Sequence, residues 1–216
     1  MRNKSLLMTV VILNISMCLI AQVAGTFKDS RDGKTYKTAK IGTQTWMAEN
    51  LTFKAGNGCW AYDNNKTNAA IYGYLYNWET AKKVCPASWH LPSKAEWVTL
   101  ITYSGGEKTA GNKLKEAGSK HWASPNTGAT NESGFTGLPG GGRQEDGQFT
   151  SINVNGNWWT SDVRTVTENL TKTTTTYCEG IVMSGDPDYP LEINSMVNNS
   201  LNNKESSYSV RCIRNK

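Results

Sequence analysis

Two cysteines that lie far apart in the sequence constrain this chain more than any other feature. Cys85 stands directly before Pro86, and Cys212 lies four residues from the last residue given. A disulfide between them would fasten a C-terminal strand to the middle of the domain. The closed loop of about 130 residues would stabilise the fold by about 5 kcal/mol in the chain-entropy model. Cys59 and Cys178 are also present, and these four cysteines allow three pairings.

The N-terminus is typical of a secretion signal peptide, which we predict over residues 1–21. Two basic residues precede an apolar stretch over 6–20, which is shorter than the roughly 20 residues that cross a bilayer. Ala21 is the predicted cleavage site and Ala24 is the alternative. Lipid anchoring at Cys18 is less favoured, because a bulky methionine stands before it. The mature chain is therefore expected to be secreted or held at the cell envelope or outer surface.

Charge and hydropathy exclude some classes of protein. The net charge is +5, and loss of Arg2 and Lys4 with the signal lowers it to +3. Basic residues are scattered along the chain, so the sequence shows no nucleic-acid footprint. A second apolar stretch of spanning length does not follow, so we expect no membrane span in the mature chain and one domain over 26–216.

The cysteine pattern favours disulfides over chemistry. An even number of cysteines in an exported chain is typical of disulfides. The cysteines are not at C-x-x-C spacing, which disfavours a zinc site. His90 and His121 are the only histidines, and neither lies at a known spacing from a cysteine. A catalytic thiol is therefore not expected.

Helix signals lie in the middle of the chain. Apolar residues at helical spacing predict a first helix over 74–84, which Pro86 ends. Ser93 and Glu96 form a capping box that predicts the start of a second helix. A short third helix is predicted over 110–117.

Strand signals lie at both ends of the chain. A hairpin is predicted over 26–47, and long polar loops over 55–68 and 186–204. The glycine-rich run around Gly140 predicts a turn with unusual dihedral angles. These elements predict an α+β fold with two main helices packed on an antiparallel sheet. The later strands are predicted over 149–154, 158–161, 173–184 and 207–213.

Several motifs together resemble those of one family. They occupy residues 27–36, 41–51, 72–78, 85–93, 138–143 and 208–212. In this order they resemble the Fibrobacter succinogenes major paralogous domain, over nearly the whole mature chain. The resemblance implies a bacterial secreted or surface protein with a C-type-lectin-like domain, related also to the formylglycine-generating-enzyme fold. It implies no assigned activity.

The resemblance also bears on the cysteines. In such folds a helix-associated cysteine commonly pairs with one on the last strand, which implies a Cys85–Cys212 disulfide. The chain lacks the cysteine that frequently follows the position of Cys59 in this family. Cys59–Cys178 is then the remaining predicted disulfide.

Candidate ligand-binding residues lie late in the chain. Trp158 and Trp159 could offer an aromatic face to a sugar ring, although adjacent residues of a strand point to opposite faces. A later polar loop carries oxygen ligands of the kind that calcium prefers, although Asp-Pro-Asp is also an ordinary turn. The ligand-binding candidates in this loop are Asp186, Asp188, Tyr189, Glu192 and Asn194, and the calcium candidates are Asp186, Asp188 and Glu192.

These observations predict a binding or adhesion module without catalysis. A rigid scaffold carries variable polar loops, and its partner would be a glycan or a surface protein. Glu96 is explained as a helix cap, and His90 as part of the entry into that helix. The alternatives are a structural component of a surface assembly and a hydrolase or oxidase on a related fold. The sequence indicates no cofactor other than calcium and leaves the oligomeric state open.

Overall fold

The computed structural model describes residues 24–186, 191, 195–200 and 206–215, with the side chains of 24 and 195–200 outside that description. The predicted signal peptide therefore lies outside the described residues. None of the described helices is long and apolar enough to cross a membrane. In chain order the elements are β1 (Ala24–Lys28), β2 (Thr35–Ile41), β3 (Gln44–Met47), β4 (Cys59–Trp60), a 3-10 turn (Tyr62–Asn64), α1 (Lys66–Tyr72), β5 (Leu75–Asn77), α2 (Trp78–Val84), β6 (Trp89–His90), α3 (Lys94–Tyr103), α4 (Glu107–Leu114), β7 (Gly140–Arg143), β8 (Phe149–Ile152), β9 (Asn155–Thr167), β10 (Thr174–Ser184), β11 (Ser195–Ser200), β12 (Ser207–Ser209) and β13 (Ile213–Arg214).

The described strands form two sheets. The five-stranded sheet has the order β1-β2-β3-β13-β6, so the last strand lies between strands from the first half of the chain. The larger sheet follows the order β11-β10-β9-β7-β12-β5-β4, with β8 paired to β7. Its pairings are antiparallel except where β9 meets β7 and β12. The predicted α+β class with a mainly antiparallel sheet is confirmed.

Local signals set the elements that the sequence predicted well. The predicted hairpin over 26–47 forms as β1, β2 and β3, which pair in succession. The capping box starts α3, because the Ser93 hydroxyl accepts from the Glu96 amide at 3.2 Å and the Glu96 carboxylate accepts from the Ser93 amide at 2.8 Å. Helix α3 ends at Tyr103, and the amide of Gly106 beyond it donates to the Ile101 carbonyl at 2.9 Å.

The predicted first helix is wrong in its first half. Residues Leu75–Asn77 form β5, which pairs with β12, and the helix begins only at Trp78. The Asn77 side chain accepts from the Thr80 amide at 3.0 Å and caps α2. The helical spacing of apolar residues cannot locate the start of α2. The pairing of β5 with the distant strand β12 decides where the helix begins.

Two other helices depart from the prediction. Helix α1 lies partly in the predicted loop over 55–68, where Asn65 caps it and Tyr72 is buried. Helix α4 begins three residues before the predicted start at 110 and ends at Leu114. Both differences reflect tertiary packing, which overrides the weak local signals of short helices.

The late strands differ from the prediction in extent. The glycine-rich run is a strand, β7, and the unusual dihedral angle falls at Gly141, with φ of 63°. Strand β9 extends to Thr167, well past the predicted end at 161. Strand β11 lies in the predicted loop over 186–204. The predicted strand over 207–213 divides into β12 and β13, which belong to different sheets.

Two buried clusters of apolar side chains form the interior, and β9 contributes to both. The first core consists of Ala39, Ile41, Trp46, Ala48, Trp97, Leu100, Ile101, Ala110, Leu114, Trp122, Phe135, Trp158, Ile181, Met183, Leu191 and Ile213. The second core consists of Tyr36, Met47, Leu51, Tyr76, Trp78, Ala81, Val84, Trp89, Leu91, Trp159, Cys178, Tyr208, Val210 and Cys212. Trp46, Trp78, Trp89 and Trp97 are core residues.

A buried polar network links the late strand segments to the start of the domain. Arg211 is fully buried, and its guanidinium donates to the Asn50 side-chain oxygen from Nη2 at 2.6 Å. It also donates to the carbonyl oxygens of Met47, Phe135 and Thr136. No described carboxylate accepts a hydrogen bond from this guanidinium, and burial lowers the pKa of Arg211 to about 9. The residue therefore stays protonated at neutral pH and is held by neutral acceptors.

Asn50 is the centre of this network. Its side-chain oxygen also accepts from Trp158 Nε1 at 2.8 Å, and its Nδ2 donates to the Tyr72 carbonyl at 2.8 Å and the Ser209 hydroxyl at 3.3 Å. One amide thus connects the segment after β3 with α1, β9 and β12. The residues of this network, Asn50, Trp158 and Arg211, therefore serve mainly to hold the scaffold together.

Candidate functional site

The cysteines stand apart from any reactive site. Cys85 and Cys212 form a disulfide with a Cα–Cα distance of 5.9 Å, as the family resemblance implies. The predicted Cys59–Cys178 disulfide is wrong, since neither cysteine is disulfide-bonded. Cys59 lies in β4 and Cys178 in β10, and β9, β7, β12 and β5 separate these strands in the sheet. Burial raises the pKa of the Cys59 thiol, which disfavours a thiolate nucleophile.

The predicted aromatic platform is wrong as a surface site. Trp158 and Trp159 have exposed fractions of 0% and 1%. Trp158 faces the first core and Trp159 the second, where its Nε1 donates to the Tyr76 carbonyl at 2.6 Å. Both faces of β9 are covered here, so the alternation of side chains exposes neither ring.

Most of the predicted polar loop over 186–204 lies outside the described residues. The candidates that lie outside are Asp188, Tyr189, Glu192 and Asn194. Asp186 is exposed, and its charge acts on the buried Lys115, whose Nζ donates to the Ser184 carbonyl at 3.0 Å. Burial lowers the pKa of Lys115, and the Asp186 carboxylate opposes that effect. A lysine ammonium at this position disfavours a cation at Asp186.

Within the described part of the chain, no group of three or more His, Cys, Asp or Glu side chains could hold a metal ion. Calcium at Asp186, Asp188 and Glu192 stays a prediction, because two of these three residues lie outside that part. The same holds for the proposed role of the late loop in ligand binding.

A groove on another face has the geometry of a ligand site. We call it the Arg31 groove, and it has a volume of about 400 Å³. This volume lies within the usual range of small-ligand sites. Its walls come from the β1–β2 turn, the segment after β3 and helix α2. The lining residues are Arg31, Phe53, Ala55, Gly56, Glu79, Thr80, Lys83 and Val84.

Arg31 is rigidly held at the edge of this groove. Its Nε and Nη2 donate to the buried Asp29 carboxylate at 2.9 Å and 2.6 Å, and its Nη1 donates to the Val84 carbonyl at 2.8 Å. The guanidinium carbon lies 3.9 Å from the centre of the Phe53 ring. The side chain is nevertheless 29% exposed. A guanidinium with this orientation can receive an anion without being ordered by it.

The Asp29–Arg31 pair sets the electrostatics of the groove. Burial alone raises the pKa of Asp29, but the hydrogen bonds and charge of Arg31 outweigh burial and hold that pKa below its ordinary value. The Asp29 hydrogen bonds and charge likewise raise the pKa of Arg31. Both groups are therefore ionised at neutral pH.

Replacing Asp29 with asparagine is expected to reduce the dependence of the free energy of unfolding on pH in the acid range. Because the folded-state pKa of Asp29 is lowered, its contribution is present above the unfolded pKa and is lost as pH falls through the folded value. We expect Asp29→Asn to cost about 1–2 kcal/mol at neutral pH and progressively less below about pH 4. Urea unfolding at several pH values measures this difference. An equal loss at every pH, or a similar effect from Asp63→Asn at an exposed site, would contradict the assignment.

The opposite wall adds charge and a hydroxyl. Glu79 pairs with Lys82 at 3.1 Å, and that lysine also lies 3.9 Å from the centre of the Trp78 ring. Lys83 is exposed, and no described carboxylate pairs with it. Thr80 donates to the Asn57 carbonyl at 3.3 Å. The groove therefore has a small apolar floor with two basic groups, Arg31 and Lys83, beside it.

A second groove is smaller and less suited to a ligand. It has a volume of about 280 Å³ and lies between the β2–β3 turn, α3 and the end of β13. Its polar groups are already used: Gln44 donates to the Glu96 carbonyl, and the Glu96 carboxylate caps α3. Asn215 bonds to His90 at 2.7 Å. A ligand here would have to compete with hydrogen bonds that stabilise the fold.

The two histidines contact carboxylates. His90 lies 2.9 Å from the Glu96 carboxylate, and its other ring nitrogen bonds to Asn215, in line with its predicted structural role. His121 lies 2.9 Å from the Glu116 carboxylate and packs edge-on against Tyr72. Within the described chain, a thiol or serine hydroxyl does not bond to either ring.

The family can now be stated from a direct comparison. The Fibrobacter succinogenes major domain model matches residues 39–214. The chain belongs to this family. No curated protein and no solved structure matches the chain. The matched range lies inside the predicted domain over 26–216, and the predicted signal peptide over 1–21 stays a prediction.

The groove is a site that reasoning from the sequence missed, and Arg31 lies before the range that the family model matches. The walls of the groove come from three segments that are separated in the sequence, and no single sequence motif predicts that they meet. One signal was available, since Asp29 and Arg31 stand two residues apart in a turn, where a carboxylate and a guanidinium can meet. The contribution of Phe53 and α2 follows only from the tertiary structure.

Proposed function

We propose that this chain is an exported bacterial binding module that takes an acidic glycan in the Arg31 groove, without catalysis. The observation that carries the proposal is the fixed Arg31 guanidinium. A guanidinium has five N–H donors. Hydrogen bonds to Asp29 and Val84 leave one donor on Nη1 and one on Nη2. Each of these donors can form a charge-assisted hydrogen bond with a carboxylate oxygen.

Other features of the groove fit a sugar that carries a carboxylate. Ala55 and the part of the Phe53 ring that Arg31 leaves uncovered supply a small apolar surface for a sugar face, and Thr80 supplies a hydroxyl. Lys83 adds a second positive charge at the rim. Glu79 is the only carboxylate among the lining residues, so binding is expected to be independent of calcium.

The finer description of the fold belongs to the same proposal. We propose a C-type-lectin-like arrangement, related also to the formylglycine-generating-enzyme fold. It is supported by the disulfide between the end of α2 and the C-terminal segment, and by the five-stranded sheet that contains both β1 and β13. A location at the cell envelope or in the medium, after cleavage near Ala21, accords with this disulfide.

A charge reversal in the groove tests the proposal. Oligogalacturonate serves as the acidic glycan, and its methyl ester serves as a neutral ligand of the same shape. We expect calorimetry to show that the ester binds about tenfold more weakly. Lys83→Glu should weaken binding of the acid form about tenfold, because it places a negative charge beside the ligand carboxylate.

Lys108→Glu is the matched control, since Lys108 is exposed on α4 outside the groove and the charge change is the same. We expect it to change the affinity less than about twofold. Equal binding of the acid and the ester would contradict the carboxylate contact. Equal losses in both variants would show a general charge effect and contradict the site. Binding that a chelator abolishes would favour calcium and the late loop instead.

A structural role in a surface assembly is the second candidate. The observation that favours it is an exposed two-stranded extension of the larger sheet. That extension is independent of the groove.

A further inference from the structure

Strands β9 and β10 continue beyond the body of the domain as a two-stranded arm. The exposure of β9 changes along its length: residues 156–160 are buried, and those from 163 to 167 are mostly exposed. We call residues 162–176 the arm, because β11 pairs with β10 from Tyr177 onward. Strands β7 and β12 pair with β9 only at Gly156 and Trp158. Past Trp159, β9 has β10 on one side and no other strand of the described chain on the other.

The open edge of the arm carries outward-facing backbone groups. The Glu168 amide donates to the Thr173 carbonyl at 2.9 Å, so the backbone of Glu168 faces β10. Backbone direction alternates along an antiparallel strand. The amides and carbonyls of Val163, Thr165 and Thr167 therefore point to the open edge, where a further strand could pair with them.

Beyond the bulge between Trp159 and Val163, the open edge carries little protection against strand pairing. Exposed edges are commonly protected by proline, lysine or bulges. Residues 161–167 contain neither proline nor lysine and are rich in valine and threonine, which favour strands. Val163 and Val166 are 45% and 37% exposed, and Leu170 at the tip is 98% exposed. A two-stranded ribbon is only marginally stable alone, so a third strand would also stabilise the arm.

We propose that a second copy of this chain pairs with this edge, antiparallel, about a two-fold axis at Val166. In that register Thr165 forms a hydrogen-bonded pair with Thr167 of the second copy, and the two Val166 side chains face each other. Arg164 then stands opposite Glu168 of the second copy. The two-fold axis repeats this contact, which gives two ion pairs between opposite charges.

Charge selects this register over its neighbours. An axis at Arg164 would place the two Arg164 side chains against each other. An axis at Thr165 would place Asp162 opposite Glu168, which also repels. An axis at Val163 would need the backbone of Ser161, whose amide already donates to the Pro92 carbonyl at 2.9 Å. An axis one residue later, at Thr167, would place Arg164 opposite residue 170. Neither of the two Arg164–Glu168 ion pairs would then form.

The register also directs the exposed tip toward the second copy. Leu170 lies in the turn after Glu168, so it extends along the arm of the second copy in the direction of Asp162. Asp162 accepts from the Lys94 amide at 2.7 Å, so the base of the arm is fixed to the start of α3. The most exposed apolar side chain of the described chain is thereby placed beside the second copy.

The test is the oligomeric state of the oxidised exported protein over a concentration series, measured by sedimentation equilibrium. We expect a reversible dimer. Val166→Lys should raise its dissociation constant at least about tenfold, because two ammonium groups would meet at the axis. Val98→Lys is the matched control, since Val98 is 41% exposed on α3. It should leave the dimer unchanged.

A charge exchange makes the register itself testable. Arg164→Glu and Glu168→Arg should each weaken the dimer about tenfold, and the double variant should restore it to within about threefold of the original affinity. A loss of folding could not produce this recovery. A monomer at every concentration would overturn the proposal, and so would a dimer that Val166→Lys leaves intact. Failure of the double variant to recover would overturn the register.

Discussion

Replacing Arg211 with methionine is expected to lower the free energy of unfolding by about 3–5 kcal/mol, because it breaks a fully buried polar network. The guanidinium donates to the Asn50 side chain and to three carbonyl oxygens. Methionine would fill much of the volume but would donate to none of them. Each buried acceptor left without a donor costs about 1–3 kcal/mol. Urea unfolding of the oxidised protein measures the loss.

Arg214→Met provides the matched control for this prediction. Arg214 is exposed and lies three residues further along the same segment. Its replacement should change the free energy of unfolding by less than about 0.5 kcal/mol. Arg211→Lys should remain well below the wild-type stability, since an ammonium cannot reach acceptors on opposite sides of a planar guanidinium. A loss below about 1 kcal/mol in Arg211→Met would contradict the role given to the network.

Removing the disulfide should have an effect of similar size. The double variant Cys85→Ala, Cys212→Ala is expected to lose about 5 kcal/mol in the chain-entropy model, because the bond closes a long loop. The two cysteines are 127 residues apart in sequence. The bond also fixes the segment between β12 and β13, which connects the two sheets. Thermal and urea unfolding under oxidising conditions measure the change.

Cys59→Ala is the control for the disulfide. Cys59 is half-buried and not disulfide-bonded, so its replacement should cost much less than the double variant. Peptide mapping without reduction should recover Cys85 linked to Cys212. A Cys85–Cys59 link would contradict the pairing. So would a double variant as stable as the wild type.

The sequence predicted those parts of the fold whose signals are local. The capping box at Ser93 and Glu96 fixes the start of α3 through contacts within one turn. The turn after Asp29 fixes the first hairpin in the same way, since the Gly33 amide donates to the Asp29 carbonyl at 2.8 Å. Where pairing partners are distant, the local pattern misled, as at Leu75, which lies in β5 rather than in a helix.

The candidate site was harder to predict because burial depends on both faces of a strand. Alternation along β9 suggested that one of Trp158 and Trp159 would be exposed. It could not show that a second core covers the other face. The groove was missed for a related reason, since Arg31, Phe53 and Lys83 meet only in the folded chain.

The central claim is that ligand binding occurs in the Arg31 groove rather than at the late polar loop. Titration of isotopically labelled protein with oligogalacturonate, followed by NMR, tests this most directly. We predict saturable shifts of the Arg31 Nε–H signal and of the amides of Phe53, Thr80 and Lys83, unchanged by a chelator. Shifts confined to residues 186–194, or no saturable shift at all, would contradict the claim.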